Sequence, residues 1–326
     1  MNKEITLWRF IAKRLKLHQK VMLLIVTESS GSSPGRQGFK MAVGEDHLLC
    51  GSIGGGIMEV KLVELAKKML KENISEPQIK KQIHRKNVGH HQSGMICSGE
   101  QTVIYFSLNE SHLPEIRKII RILCGYHFAV ITISQDKNIP LFTVTSGIKN
   151  SATFAFEKSG DEAFEWKENI GFHQNLFIIG GGHCALALSE LMSRLDFYIH
   201  VMDDRPGLNT MEKNHYAHKK HIVEKYENIR DVIPSGPDVY VVVMTLGYRS
   251  DLTVLLQLTE KSFGYVGLLG SATKVNALKE ELIKNKVRKN FFKELHAPIG
   301  LKINSHTPEE IAVSIAAEIV KVKNGA

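Results

Sequence analysis

The sequence predicts an α/β protein in two parts, an N-terminal α+β domain over residues 1–165 and a Rossmann-like parallel-sheet domain over residues 166–326. Three observations predict it. The second half alternates continuous apolar runs with amphipathic stretches of helical spacing, the pattern of parallel strands covered on both faces. A glycine turn, Gly180-Gly181-Gly182, follows the first of those runs and opens a helix. The first half instead places short apolar runs around two loops rich in glycine and serine, and the polar segment 149–172 separates the two regimes. A chain of 326 residues accommodates two domains.

Residues 4–17 read as a helix with Trp8, Ile11, Ala12 and Leu15 on one face, leading into a buried strand at 21–27. The stretch 28–38 is rich in turn formers and includes Ser32 and Ser33. Strands at 39–43 and 47–50 follow, separated by a turn at 44–46. Gly51, Ser52, Gly54, Gly55 and Gly56 form a second glycine loop that feeds a helix at 57–70. Such a loop gathers several N–H groups into an anion-binding nest. Neither loop ends in Gly-Lys-Ser/Thr, so neither is a P-loop. Turn formation alone is the competing account of each.

Residues 71–95 are polar and hold His84, His90 and His91. Cys97 lies between Gly94 and Gly99, which leaves its thiol accessible to a ligand. The spacing of His90 and His91 from Cys97 fits no common zinc site. Cys50, Cys124 and Cys184 sit in or beside apolar elements and read as core thiols. A strand at 101–108, a helix at 113–123 and a strand at 127–134 complete the first half.

The second half opens with the strand 176–179, then Gly180-x-Gly182-His183 and the small Ala185, a G-x-G-x-x-A pattern. The first glycine makes the turn, the second lets backbone approach a pyrophosphate, and Ala185 lets helix and strand pack closely. The helix N-terminus supplies free N–H groups and positive dipole for an anion. The next strand, 198–202, ends in Asp203-Asp204-Arg205, where an acid such as Asp203 is placed to accept from a ribose 2′-OH. Strands at 239–245 and 265–269 follow, with helices at 184–194, 250–258 and 274–284. Ligands of open α/β sheets bind outside the carboxyl ends of strands, so Gly180, Asp203, Thr245 and Ser271 are expected along one crevice. Capping is the other account of Thr245 and Ser271. The last helix, 309–322, starts with a capping box of Thr307, Pro308 and Glu310.

Composition limits the function. Hydrophobic residues make up 43% and charged residues 23%, a globular mixture that excludes a disordered or fibrous chain. Four cysteines without a C-x-x-C pair argue against a disulfide scaffold and for a reducing cytoplasm. The apolar run 21–26 is far shorter than the roughly 18 residues needed to span a bilayer, so no membrane partner is expected. The net charge is +8. No helix-turn-helix, RNP strand or zinc finger accompanies it, and lysines such as Lys61, Lys67 and Lys68 fall on solvent faces of helices. A nucleic-acid partner is therefore not expected, whereas an anionic cofactor and an acidic partner protein suit the charge. Apolar helices at both termini suggest a homodimer.

Taken together, these residues resemble a family. Gly31-Ser32-Ser33-Pro34, Lys40-Met41, Gly51-Ser-Ile-Gly-Gly-Gly56 with Glu59, Cys97-x-Gly99, Gly180-x-Gly182-His183, Asp203-Asp204-Arg205-Pro206, Gly267-x-x-Gly270-Ser271-x-x-Lys274, and Pro298-x-Gly300-Leu301 through Glu318 look like the XdhC/CoxI family of xanthine dehydrogenase accessory factors. The resemblance runs in order along nearly the whole chain. It implies an N-terminal XdhC/CoxI domain and a C-terminal Rossmann domain. It also implies a role in maturing molybdenum hydroxylases. Members bind the molybdenum cofactor, as molybdopterin or its dinucleotide form, and protect it while a cysteine desulfurase supplies sulfur. They then help insert it into the apo-enzyme. The family's cofactor-binding cysteine falls on Cys97, a soft ligand suited to molybdenum. Two positions depart from the pattern. Ser98 replaces a usual glycine, and Thr245-Leu246-Gly247 stands where the family commonly has Thr-His-Asp. The alternative reading is an NAD(P)-dependent oxidoreductase, or a regulatory protein holding NAD(P) or another nucleotide in the Rossmann domain. Against catalysis, the sequence shows no convincing His–Asp pair outside the turn.

Overall fold

In the computed structural model, the described residues are 3–31, 33–84, 99–125, 127–135, 140–147, 152–159, 163–171 and 174–325. They form two compact units, Met1–Gly171 and Phe172–Ala326.

The first unit begins with helix α1 (Lys3–Leu15), followed by strands β1 (Val21–Gly31), β2 (Lys40–Gly44) and β3 (Leu49–Gly51). Helix α2 (Gly56–Lys71), strands β4 (Gln78–His84) and β5 (Gly99–Leu108), and helix α3 (Leu113–Cys124) come next. Strands β6 (Ala129–Ser134), β7 (Phe142–Ser146), β8 (Phe154–Ser159) and β9 (Ala163–Ile170) close the unit. Strands β3-β2-β1-β5-β4 form one antiparallel sheet and β7-β6-β9-β8 a second.

Alternation along β1 divides the packing, since successive Cβ atoms point to opposite faces. Val21, Leu23 and Ile25 face a core shared with α1, α3 and the second sheet. Met22, Leu24 and Val26 face a separate core under α2. A buried ion cluster adds to the first core. The Lys40 ammonium pairs with Glu168 on β9 and with Glu4 on α1, the latter at 3.1 Å. Burial pushes the Glu168 carboxyl up to about 7 against the opposing pull of Lys40.

Several elements differ from the sequence expectation. Strand β1 runs on to Gly31, because Ser29, Ser30 and Gly31 continue to pair with Gln101, Glu100 and Gly99 beyond a bulge at Val26/Glu28. The polar stretch after α2 contains the edge strand β4, whose lysines are exposed. The segment expected to separate the domains forms β8 and β9. The expected boundary at 165/166 thus falls inside β9, and the units part at 171/172.

The second unit runs β10 (Gln174–Ile179), α4 (His183–Met192), β11 (Phe197–Asp203), α5 (Asn209–Lys213), β12 (Lys219–Ile222), β13 (Gly236–Val243) and α6 (Tyr248–Leu258). It ends with β14 (Phe263–Leu268), α7 (Ala272–Lys284), α8 (Lys289–Glu294), β15 (Leu295–His296) and α9 (Pro308–Lys323). The sheet is parallel, in the order β12-β11-β10-β13-β14-β15. This is the Rossmann order, which reverses between β10 and β13. Leu176 and Ile178 pack with α4 and α9 on one face, and Phe177 and Ile179 with α6 and α7 on the other. Thr307 caps α9 in the expected box, accepting from the Glu310 N–H at 3.2 Å. Among the described residues, no helix is long and apolar enough to cross a membrane.

Candidate functional site

In the first unit the two glycine loops touch. A Cβ on Gly54 would lie 2.5 Å from the Gly35 nitrogen, and one on Gly35 would lie 2.3 Å from the Ile53 carbonyl. Only glycine permits that approach. Ser33 is buried, and its hydroxyl donates to Gln101 Oε1 at 3.1 Å, so it ties the first loop to β5.

The second loop does gather N–H groups, but around a carboxylate of its own. Glu59 Oε2 accepts from Ser52 Oγ at 2.7 Å, from the Ile53 N–H at 2.9 Å and from the Gly55 N–H at 2.9 Å. The Gly54 N–H donates to Ser52 Oγ at 3.2 Å. Burial opposes the charge on Glu59, but the three donors outweigh it and hold the carboxyl below its usual range. Gly55 and Gly56 have φ of 76° and 71°, and a Cβ on either would meet nothing. Their use is conformational. Gly51, at φ 89°, backs against the Lys40 carbonyl. Ser32 and Cys97 lie outside the described residues, as do Ser98, His90 and His91. Cys50 and Cys184 are partly buried, whereas Cys124, expected in a core, is exposed at the end of α3.

In the second unit, Gly180, Asp203, Thr245 and Ser271 stand at the carboxyl ends of four adjacent strands, or just beyond them. Gly180 has φ 108°, and a Cβ there would lie 2.2 Å from the Met244 carbonyl, so the turn is pressed against the end of β13. Gly182 is the N-cap of α4, and a Cβ on it would meet nothing within 4 Å. That is the open approach a phosphate on a helix N-terminus requires. His183 is exposed on the first turn.

Asp203 is fully buried and fully used. Its Oδ2 accepts from the Gly181 N–H at 2.6 Å and from Arg205 Nη2 at 2.8 Å. Its Oδ1 accepts from Arg205 N at 2.9 Å and Nε at 2.8 Å. Burial would raise its pKa, but the Arg205 guanidinium and the Gly181 N–H outweigh burial and hold it low. The carboxylate therefore fixes the glycine turn, and the ribose acceptor expected at Asp203 is already satisfied. The exposed acid on this rim is Asp204, reached by the Tyr226 hydroxyl at 3.3 Å.

Across the turn, Thr245 donates from Oγ1 to Asp251 Oδ1 at 2.5 Å and from N at 3.1 Å. Asp251 is fully buried on the first turn of α6 and pairs through Oδ2 with the Lys274 ammonium. Ser271 Oγ caps α7, accepting from the Lys274 N–H at 3.3 Å. Ser271 is thus a cap, and Thr245 anchors α6 through Asp251. Leu246 is 82% exposed. The sequence signal for this pair is an acid four residues after Gly247 and the lysine of Ser271-x-x-Lys274. Arg205 and Lys274 are each held by a buried acid, Arg205 by Asp203 at the glycine turn and Lys274 by Asp251 on α6. Among the described residues, no His/Cys/Asp/Glu group forms a metal site.

Comparison with known proteins adds two family matches. A profile described as the XdhC Rossmann domain matches residues 176–319, and one described as the XdhC and CoxI family matches residues 15–80. The uncharacterised protein YqeB of Escherichia coli (strain K12) is 33% identical over 157 residues, 48% of this chain and 28% of YqeB. A probable xanthine dehydrogenase subunit of Bacillus subtilis (strain 168) is 30% identical over 149 residues, 45% of this chain and 42% of that protein. The matches thus span less than half of either relative. A crystal structure of a xanthine dehydrogenase from Bacillus halodurans aligns with a TM-score of 0.73 at 24% identity, covering 99% of this chain and 96% of that one. It shares the fold.

Proposed function

The chain belongs to the XdhC/CoxI family, and from that premise we propose that it is an accessory factor for a molybdenum hydroxylase such as xanthine dehydrogenase. It binds the molybdenum cofactor, supports its sulfuration by a cysteine desulfurase and assists its insertion into the apo-enzyme. The observation that carries the reading is the Gly180–His183 turn. It is held rigid by Asp203 and Arg205, yet it leaves open space at Gly182 on a helix N-terminus.

The residues fit the phosphate end of a pterin cofactor. Helix N–H groups and dipole favour an anion, and Arg205, its charge balanced by Asp203, holds the turn that presents them. The role of Cys97 as a thiolate toward molybdenum comes from the family resemblance. When bound, the cofactor brings a thiophilic metal whose terminal ligand is exchanged. The chain's own residues bind and orient it, and the desulfurase supplies the sulfur. A nicotinamide nucleotide is the competing occupant of the same crevice. The closure of Asp203 by Arg205 counts against ribose recognition at that acid.

The test is to purify the full chain from a host that makes the cofactor and assay bound molybdenum and pterin, with the Cys97→Ala variant in parallel. Bound cofactor lost in the variant is expected. Equal loading of the variant overturns the thiolate role. Calorimetric binding of NAD(H) or NADP(H), together with absence of pterin, overturns the cofactor assignment.

A further inference from the structure

No basic stripe is legible along the sequence of the first unit, because the residues that make one lie about a hundred positions apart. The fold brings them together. In the first unit, α1 and α3 pack side by side and leave an open groove of about 630 Å³ between their outer faces. Five of its eight lining residues are cations, Arg9 and Lys13 on α1, Lys16 just past its end, and Arg117 and Arg121 along α3. No acid lines it. Arg9 and Lys13 are one turn apart, as are Arg117 and Arg121, so both helices present rows of charge to the same groove. All five side chains are exposed.

None of the five makes an ion pair among the described residues; Arg9 touches only the Cys124 sulfur, at 3.5 Å. Lys40 and Arg14 of this unit, by contrast, are paired internally, Lys40 with Glu4 and Glu168 and Arg14 with Asp46. Among the described residues, the charge in the groove is uncompensated. Between the rows the floor is apolar, formed by Ala12, Ile120 and Leu17, and Leu17 is 61% exposed.

We propose that this groove is the docking surface for an acidic segment of a partner protein, one that sets an apolar side chain on Leu17 and Ile120 and carboxylates against the flanking rows. Charge complementarity identifies the class of partner. The width argues against a small anion. Cations spread over about 10 Å of helix, on long exposed side chains with no backbone N–H nest between them, do not converge on one phosphate. The floor argues against nucleic acid, whose backbone offers charge but no aliphatic group for Leu17, and the groove carries no aromatic platform for bases. The proposal is independent of the cofactor assignment.

The experiment uses the full chain and a fluorescein-labelled amphipathic peptide of leucine and glutamate, followed by anisotropy, with a labelled DNA duplex in parallel. The triple variant Lys13→Glu/Arg117→Glu/Arg121→Glu is expected to weaken peptide binding at least about tenfold. A matched reversal on the second unit, Lys225→Glu/Lys289→Glu/Lys321→Glu, is expected to leave binding within about twofold. Leu17→Ser is expected to weaken it with charge unchanged. Thermal unfolding of each variant reports folding, and Arg117→Gln/Arg121→Gln carries the test if the reversal does not fold. Failure of the wild type to bind the peptide, equal loss in the matched reversal, or tighter binding of the duplex than of the peptide overturns the proposal.

Discussion

Replacing Asp203 with Asn tests whether the glycine turn is fixed by a buried charge. The substitution keeps size and one acceptor oxygen, but its NH₂ must face donors, either the Gly181 N–H with Arg205 Nη2 or Arg205 N with Nε. Two hydrogen bonds to a charged acceptor are lost, each worth about 1.5–3 kcal/mol. Removing one member of a buried pair costs about 3–5 kcal/mol when the other stays buried. Arg205 is 36% exposed and can turn to water, so the lower end applies, about 3 kcal/mol. At about 2–4 °C per kcal/mol for a unit of this size, the transition of the second unit should fall by about 6–12 °C. Differential scanning calorimetry, which distinguishes the two units if they melt separately, is the assay. A shift under about 2 °C would refute the anchoring role. A cycle with Arg205→Ala should show the two effects to be strongly non-additive.

Glycines at two ends of the same turn should behave oppositely. Gly180→Ala meets the Met244 backbone at 2.2 Å with φ 108° and should destabilise the second unit severely. Gly182→Ala meets nothing and should melt as the wild type, while losing bound cofactor because its methyl occupies the approach; unchanged loading removes the turn from the binding site. In the first unit, Lys40→Met leaves Glu168 and Glu4 without their shared cation and should cost about 3–5 kcal/mol, read as a shift in urea midpoint. In the second unit, burial and the neighbouring His221 lower His200 to about 3, and burial lowers His218 to about 4. Native imidazoles thus refuse protons that the unfolded chain takes up below about 6.5. Their stabilisation is complete above that value and is lost as pH falls toward 4. Glu168, raised to about 7, acts with the opposite sign over that range. The readout is therefore the difference between wild type and His200→Gln, whose stability should fall less steeply between pH 6.5 and 4.5 than that of the wild type; parallel slopes would contradict it.

The parts of the fold legible in the sequence are those where one residue pattern has one structural solution. Continuous apolar runs such as those of β10 and β13 fit a doubly covered parallel strand, and Gly180-x-Gly182 before a helix fits a βα turn. Of the second sheet of the first unit only β6 is legible in the sequence, because β8 and β9 carry polar residues among their apolar ones. Their burial depends on Phe154 and Trp166 stacking together, with ring centroids 5.5 Å apart, in a core shared with distant helices. At the candidate site, positions were legible and partners were not. Asp203 stands where the motif puts an acid, but Arg205, two residues on, decides that it faces inward. The glycine loop forms a nest, but Glu59, one helical turn later, fills it. Neither outcome is a property of the motif alone. The basic groove was hidden for a related reason, since α1 and α3 meet only in three dimensions.

The most direct test of the functional account is molybdenum and pterin content per chain after purification from a cofactor-producing host, set against the same preparation from a host unable to make the cofactor. The account predicts both components in the first preparation, in equal amounts, and their loss in Cys97→Ala and Gly182→Ala. Molybdenum and pterin no higher than in the cofactor-deficient host would contradict it.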